Sequence, residues 1–306
     1  MNRTFDSSGH KLAYHLATPS GRGDDFSGLI LCHGFPIGPL DARRSAGTFP
    51  ELVDRIAHDV GYIGMTFTFR GCGSSTGDFS LQGWTDDLRS AIDHLTATTG
   101  VREVVLLGTN TGGSIAICVG ADDPRVSAVG LLSPRADFDD WADHPRRFLD
   151  HAREIGAIRT PGFPPSLDEW TRAFRRFRPV AAARRFAPRP LLVMHGEDDE
   201  SVPPSDSRQL AEAHGSADLS LIQGAGHRLR HDPRAIAILL GWLDRTKHAE
   251  RAATTSPERA ATTSPERAAT TSPERAATTS PERAATTSPE RAATTSTEQP
   301  ATATSP

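Results

Sequence analysis

The residues with the clearest potential for chemistry lie in a short turn between two apolar segments. Residues 104–107 are an apolar run that predicts a buried strand, and residues 115–119 are typical of a helix. Between them stands a glycine-x-asparagine-x-glycine pattern, with Asn110 at its centre and Gly108 and Gly112 on either side. Glycine allows two backbone segments to approach where a Cβ would clash. The pattern therefore predicts a tight strand–turn–helix junction that presents its central side chain.

Asn110 suits the conformation of this turn but not nucleophilic chemistry. The apex of such a turn requires a positive φ angle, which asparagine tolerates better than most residues other than glycine. A carboxamide is not a nucleophile at neutral pH, and it cannot give a proton to an imidazole as a hydroxyl does. We expect the side chains of Thr109, Thr111 and Ser114 to point elsewhere, so that no neighbouring hydroxyl takes over this role.

Short apolar segments alternate with amphipathic helical segments up to about residue 247. One helical stripe begins at Leu81 and Trp84 and continues at spacings of three and four residues. A last helix is expected to begin at Asp232 and Pro233 and to end near Leu243. This alternation predicts an α/β fold with a mostly parallel, doubly wound sheet. The predicted strands follow a leading hairpin and cover residues 29–32, 62–69, 104–107, 126–132, 191–194 and 219–222.

Residues 136–187 interrupt this alternation and contain a proline-rich break at 161–165. The segment is predicted to form a short helical lid over the carboxyl ends of the strands, where such folds bind ligands. Its arginines could favour a ligand with a carboxylate or a phosphate, but the nearby aspartates favour solvated helix faces. Its large aromatic residues either line an apolar pocket or form the core of the lid; they are Trp141, Phe163, Trp170 and Phe174.

The end of the sequence is a tandem repeat of eight residues. From Glu250 onward the unit Glu-Arg-Ala-Ala-Thr-Thr-Ser-Pro occurs five times without error, and a sixth copy carries Thr297 in place of proline. The unit contains no large apolar residue and cannot build a core. Residues 248–306 are therefore predicted to be a disordered tail, and residues 1–247 a single domain.

Composition excludes several classes of function. The net charge of −4 argues against a general nucleic-acid partner. No apolar run approaches the roughly 18 residues of a membrane span, and the polar N-terminus lacks a secretory signal. The three cysteines, Cys32, Cys72 and Cys118, are scattered without metal-ligand spacing. These features predict a cytoplasmic protein without a metal or a cofactor.

With these elements placed, the sequence resembles the α/β-hydrolases, in particular the small bacterial esterases and dienelactone-hydrolase-like proteins. The resemblance extends over about residues 1–247 and implies the α/β-hydrolase fold. It rests on motifs that occur in the order of that family, each at the end of a predicted strand. These are His33-Gly34-Phe35-Pro36, Arg70-Gly71-Cys72-Gly73, the turn around Asn110, the segment 195–203 from His195-Gly196 to Val202-Pro203, and Gly224-Ala225-Gly226-His227.

The resemblance implies a nucleophile–histidine–acid triad. Asn110 stands at the nucleophile position, where the family normally has serine and sometimes cysteine or aspartate. His227 corresponds to the general base. The acid corresponds to Asp199, and the neighbouring Asp198 is the alternative; its role is to hold the imidazole in one tautomer.

The resemblance also implies an oxyanion hole formed by the backbone N–H groups of Phe35 and Thr111. His33, in the same loop as Phe35, is expected to be a structural hydrogen-bonding residue. These parts together are those of an enzyme that hydrolyses esters or thioesters, with the nucleophile missing.

Three hypotheses about function follow. The first is a pseudoenzyme, weak or inactive as a hydrolase, that binds a small acyl-type ligand under the lid. The second is an active hydrolase, either through deamidation of Asn110 to aspartate or through water activated directly by His227. The third is a non-catalytic scaffold protein in which the repeat tail is the functional part.

Overall fold

Eight strands form one sheet at the centre of the fold. The computed structural model describes residues 3–20, 27–45, 47 and 49–255. The strands are β1 (Arg3–Ser7), β2 (His10–Ala17), β3 (Gly28–Cys32), β4 (Ile63–Phe67), β5 (Val104–Thr109), β6 (Val126–Leu132), β7 (Leu191–Gly196) and β8 (Asp218–Ile222). Their order across the sheet is β1-β2-β4-β3-β5-β6-β7-β8. The β1–β2 hairpin and the β2–β4 pair are antiparallel, and every other pair is parallel, which confirms the predicted mostly parallel sheet.

Helices cover both faces of this sheet. Alternate residues of β5 belong to two different apolar clusters: Leu106 packs with Trp84 on one face, and Leu107 packs with Trp242 on the other. Such alternation arises because successive strand side chains point to opposite faces. The helices are α1 (Pro39–Arg43), α2 (Phe49–Asp59), α3 (Leu81–Thr99), α4 (Asn110–Asp122), α5 (Asp139–Asp143), α6 (Pro145–Glu154), α7 (Leu167–Arg176), α8 (Pro179–Phe186), α9 (Pro204–His214) and α10 (Pro233–Thr255).

The final helix is longer than the sequence indicated. We predicted that it ends near Leu243 and that the tail begins at residue 248, but α10 continues to Thr255. Polar contacts hold the additional turns: Lys247 Nζ donates to the carbonyl of Val60 at 2.8 Å, and Glu250 accepts hydrogen bonds from two serine hydroxyls. The predicted tail boundary is therefore wrong by eight residues. The rest of the predicted tail, residues 256–306, lies outside the described part of the chain.

The separate group of helices within the segment predicted as a lid, residues 136–187, is also shorter than expected. Helix α8, inside the segment 136–187, packs against α4 and α9 and belongs to the layer that covers the sheet. Only α5, α6 and α7 form a separate group of helices, which we call the helical insertion. Trp170 and Phe174 are buried in its core. The arginines of its helices are exposed, and two of them form ion pairs, Arg172 with Glu169 at 3.9 Å and Arg175 with Asp143 at 2.7 Å.

No helix within the described residues combines the length and the apolar character that crossing a membrane requires.

A buried ion pair fixes the turn after β4. The carboxylate of Asp87 on α3 is fully buried and accepts hydrogen bonds from the backbone N–H and the guanidinium of Arg70, with the shortest contact at 2.6 Å. It also accepts a hydrogen bond from the Ser7 hydroxyl of β1 at 2.8 Å. One carboxylate thus connects β1, α3 and the Arg70-Gly71-Cys72-Gly73 turn, which supports the structural role of that turn.

Replacement of Asp87 by alanine is expected to lower the free energy of unfolding by about 3–5 kcal/mol, because Arg70 would remain buried without its partner. The neighbouring Asp86, whose side chain is partly exposed, is a matched control, and Asp86→Ala should change stability by no more than about 0.5 kcal/mol. Urea unfolding followed by circular dichroism measures both values. Equal losses in the two variants would contradict this account of the turn.

Candidate active site

The turn between β5 and α4 has the backbone geometry that its glycines predicted. Asn110 has a φ angle of 47° and is the first residue of α4. A Cβ on Gly108 would lie 2.5 Å from the backbone of Gly113, and a Cβ on Gly112 would lie 2.1 Å from the carbonyl oxygen of His33. Side chains at these two positions would clash with backbone. The turn therefore brings the loop after β3 against the start of α4.

His33 holds that loop in place. Its buried imidazole accepts a hydrogen bond from the backbone N–H of Phe69 at Nε2, at 3.0 Å, and donates from Nδ1 to the carbonyl of Gly34 at 2.8 Å. Because burial disfavours the charged ring, the pKa of His33 is lowered to about 4. Both ring nitrogens are used within the fold, which confirms the structural role predicted for this residue.

His227 and Asp199 are in direct contact at the carboxyl edge of the sheet. The distance from His227 Nδ1 to Asp199 Oδ2 is 2.8 Å. Asp199 is buried, whereas the alternative acid Asp198 is exposed. A Cβ on Gly196 would lie 2.2 Å from the carbonyl oxygen of Ala225, so the loop that carries Asp199 and the loop that carries His227 depend on this glycine for their approach.

Asp199 accepts more hydrogen bonds than the sequence revealed. Its Oδ1 accepts from the backbone N–H groups of Ser201 and Val202 at 2.9 and 3.0 Å. Its Oδ2 lies 3.1 Å from Nε2 of His195, a second histidine that we did not predict at the site. Burial raises the pKa of Asp199, but the hydrogen bonds from His195, His227 and the two backbone groups outweigh it and hold that pKa well below its usual range. Asp199 is therefore ionised at neutral pH, and its carboxylate orients His227.

The carboxamide of Asn110 bridges the imidazole and the start of α4. Its Nδ2 lies 3.2 Å from Nε2 of His227, and its Oδ1 accepts from the backbone N–H and the hydroxyl of Thr111 at 2.5 and 2.7 Å. A backbone N–H can only donate, so it fixes which end of the amide is the oxygen. The amide nitrogen must then donate to His227, whose proton resides on Nδ1 and points to Asp199.

This arrangement engages two groups that acyl transfer would need. The lone pair of His227 accepts from the amide of Asn110, and the Thr111 N–H, one of the two N–H groups assigned to the oxyanion hole, donates to the same amide. Phe35, which carries the other assigned N–H, lies in the adjoining loop and borders the same cleft. Ser114 does not supply a hydroxyl, since its Oγ donates to the carbonyl of Arg135 at 2.8 Å. The buried Thr111 hydroxyl is directed at Asn110 itself.

A cleft of about 820 Å³ opens above Asn110 and His227. Phe35, together with Trp141 and Phe148 of the helical insertion, forms an aromatic wall. Arginines that we did not predict at the site also border the cleft. Two of them, Arg228 and Arg230, lie one and three residues after His227. The arginines next to His227 in the sequence were the signal that could have identified this positively charged border of the cleft. Within the described residues, no group of three or more His, Cys, Asp or Glu side chains is arranged to hold a metal ion.

The sequence pattern of the alpha/beta hydrolase family matches residues 29–239, which include every residue placed at the site. The chain belongs to the alpha/beta hydrolase family. The family that the motifs predicted is therefore confirmed, and with it the hydrolase ancestry of the fold.

Comparison with curated proteins gives moderate similarity over part of their length. The chain is 29% identical to the human Protein ABHD12B over 213 residues, which are 63% of this chain and 56% of that protein. It is 31% identical to YfhR of Salmonella typhimurium over 157 residues, 47% of each protein. The chain thus spans about half the length of the curated relatives it matches.

Several solved structures share the fold. Est1E from Butyrivibrio proteoclasticus, solved with ferulic acid bound, superposes with a TM-score of 0.61 at 20% identity, over 82% of this chain and 99% of that protein. A meta-cleavage product hydrolase from Pseudomonas fluorescens gives a TM-score of 0.57 at 18% identity, over 80% and 98% of the two chains. At such identities these likenesses establish the fold alone.

The lowered pKa of His33 makes stability depend on pH in a defined window. The folded protein binds this proton only near pH 4, whereas the unfolded chain binds it near pH 6.5, so the contribution is fully present above pH 6.5 and declines as pH falls toward 4. Within that window the slope contributed by His33 is about 1.4 kcal/mol per pH unit. The stability difference between the wild type and His33→Gln should therefore shrink between pH 6.5 and pH 4.5.

Chemical unfolding at several pH values measures this difference. The exposed Gln209, which does not titrate, is the control, and the difference between the wild type and Gln209→Ala should stay nearly constant over the same range. A constant difference for His33→Gln would contradict the neutral, buried state of His33.

Proposed function

We propose that this protein is an alpha/beta hydrolase that binds a small ester-like or thioester-like acyl ligand in its cleft with little or no turnover. The observation that carries the proposal is the bridge formed by the Asn110 amide, from His227 Nε2 at 3.2 Å to the Thr111 N–H. The Asn110 amide occupies the position of the nucleophile but is not itself nucleophilic. The Asp199–His227 pair remains assembled behind it.

The bridge also disfavours hydrolysis by water. A water molecule activated by His227 would have to replace the Asn110 amide nitrogen as the hydrogen-bond donor to Nε2. It would also lack the positioning that a covalent intermediate provides. Binding without turnover is thus the function that these contacts support best.

The cleft suits an acyl ligand of modest size. Its volume of about 820 Å³ lies within the range of small-molecule sites. The aromatic wall of Phe35, Trp141 and Phe148 provides an apolar surface next to the Asn110 amide. The helical insertion contributes two of these three rings, and we infer that it acts as the lid of the site.

Replacement of Asn110 by serine tests the proposal. The serine hydroxyl should contact His227, and the Thr111 N–H should become available to a substrate oxygen. Hydrolysis of 4-nitrophenyl butyrate should then increase by at least about a hundredfold over the wild type, given that a triad nucleophile contributes about a millionfold. Steady-state kinetics with both proteins measures the change.

Two matched variants make the result specific. The double variant Asn110→Ser, His227→Ala should lose the gain, and Asn110→Ala should not acquire it, since it opens the same space without a nucleophile. Intact-mass measurement of the wild type should show the unmodified amide. Robust wild-type turnover that disappears in His227→Ala would contradict the proposal, and a mass increase of about one dalton would assign that turnover to deamidation.

A further inference from the structure

Arg230 occupies a distinctive position beside the candidate site. It lies in the single turn Leu229–His231, three residues after His227, and its side chain borders the same cleft as Asn110. The residue is half-buried, and its guanidinium lies 5.7 Å from the centre of the Phe49 ring. A cationic group thus reaches into the cleft from the loop that carries the histidine.

Arg230 has no acidic partner within the described chain. Its buried Nε atom makes no hydrogen bond there, and no ion pair involves this side chain. Two other arginines of the cleft are paired, Arg135 with Asp140 at 2.6 Å and Arg228 with Asp41 at 3.6 Å, whereas Arg43 and Arg44 are exposed to solvent. A buried polar group without a partner is costly, and a buried charge more so. Arg230 therefore retains donors for a group that the described residues do not supply.

The surroundings of Arg230 are positively charged. Arg43, Arg44 and Arg228 also border the cleft, and Asp41 is the one carboxylate among its described lining residues. Asp41 lies 3.6 Å from Arg228 and so is already engaged. Burial, and then the charge of Arg228, lower the pKa of Arg230, and the charge of Asp41 opposes this shift without reversing it. A bound anion would pair with the buried guanidinium and would offset the positive charge of Arg228.

We propose that Arg230 binds a carboxylate of the ligand, so that the cleft selects acyl compounds with a second, ionised carboxyl group, such as monoesters of dicarboxylic acids. The ester group would lie against Asn110 and the aromatic wall, and the carboxylate would face Arg230. A guanidinium matches a carboxylate in shape and can form two parallel hydrogen bonds with it. This inference rests on the proposed function, because it assigns the chemical class of the ligand in the same cleft.

The test compares two probes that differ in one charge. Monobenzyl succinate carries a free carboxylate, whereas benzyl methyl succinate has that group esterified and neutral. Isothermal titration calorimetry with the full-length wild type should give at least about tenfold tighter binding of the anionic probe, the effect of one charge-assisted contact. In Arg230→Gln this preference should fall to within about twofold, and Arg230→Lys should retain part of it.

Arg208→Gln is the matched control, because Arg208 is an exposed arginine of α9 outside the cleft, and it should leave the preference unchanged. Equal binding of both probes by the wild type, or an undiminished preference in Arg230→Gln, would overturn the role of Arg230 while the acyl-binding function stands. If neither probe binds the wild type, both the acyl-binding proposal and this inference fail. The neutral probe therefore separates the two failures.

Discussion

The structure of the site depends on the two ends of one carboxamide. The Asn110 nitrogen donates to His227, the Asn110 oxygen accepts from Thr111, and each contact requires the other because the amide is rigid and planar. The positive φ angle of Asn110 and the close approach at Gly112 hold that amide at the apex of the turn. The turn that presents a nucleophile in a serine hydrolase thus presents here an amide that joins His227 to the Thr111 N–H.

The groups behind this amide form a series of hydrogen bonds that runs from Asp199 through His227 to Asn110. Asp199 accepts from both His195 and His227, and its burial among four donors keeps it ionised. The carboxylate fixes the proton of His227 on Nδ1, which leaves Nε2 as an acceptor facing Asn110. In front of the amide, the cleft combines an aromatic wall with an excess of positive charge. These contacts support the proposed function, which is recognition of a ligand with little turnover.

Local patterns predicted the fold and the turn around Asn110, because strand–turn–helix periodicity and the flanking glycines depend on a few neighbouring positions. The resemblance to the α/β-hydrolases implied Asp199 and His227. The choice of Asp199 over Asp198 followed from spacing, and burial agrees with it. What the sequence did not reveal depends on distant contacts. The length of α10 depends on a hydrogen bond from Lys247 to Val60, 187 residues away. The lack of a hydrogen-bond partner for Arg230 Nε among the described residues is a property of three-dimensional packing alone.

The proton on the His227 ring tests the central claim most directly. Long-range ¹H–¹⁵N NMR of the ring nitrogens at about pH 7.5 distinguishes the two neutral tautomers and the charged ring. Our account predicts that the proton of His227 resides on Nδ1, with Nε2 unprotonated and accepting from the Asn110 amide. A proton on Nε2 would mean that the amide is turned around, with its oxygen toward His227 and its nitrogen toward Thr111, and would contradict the bridge on which the proposed function rests.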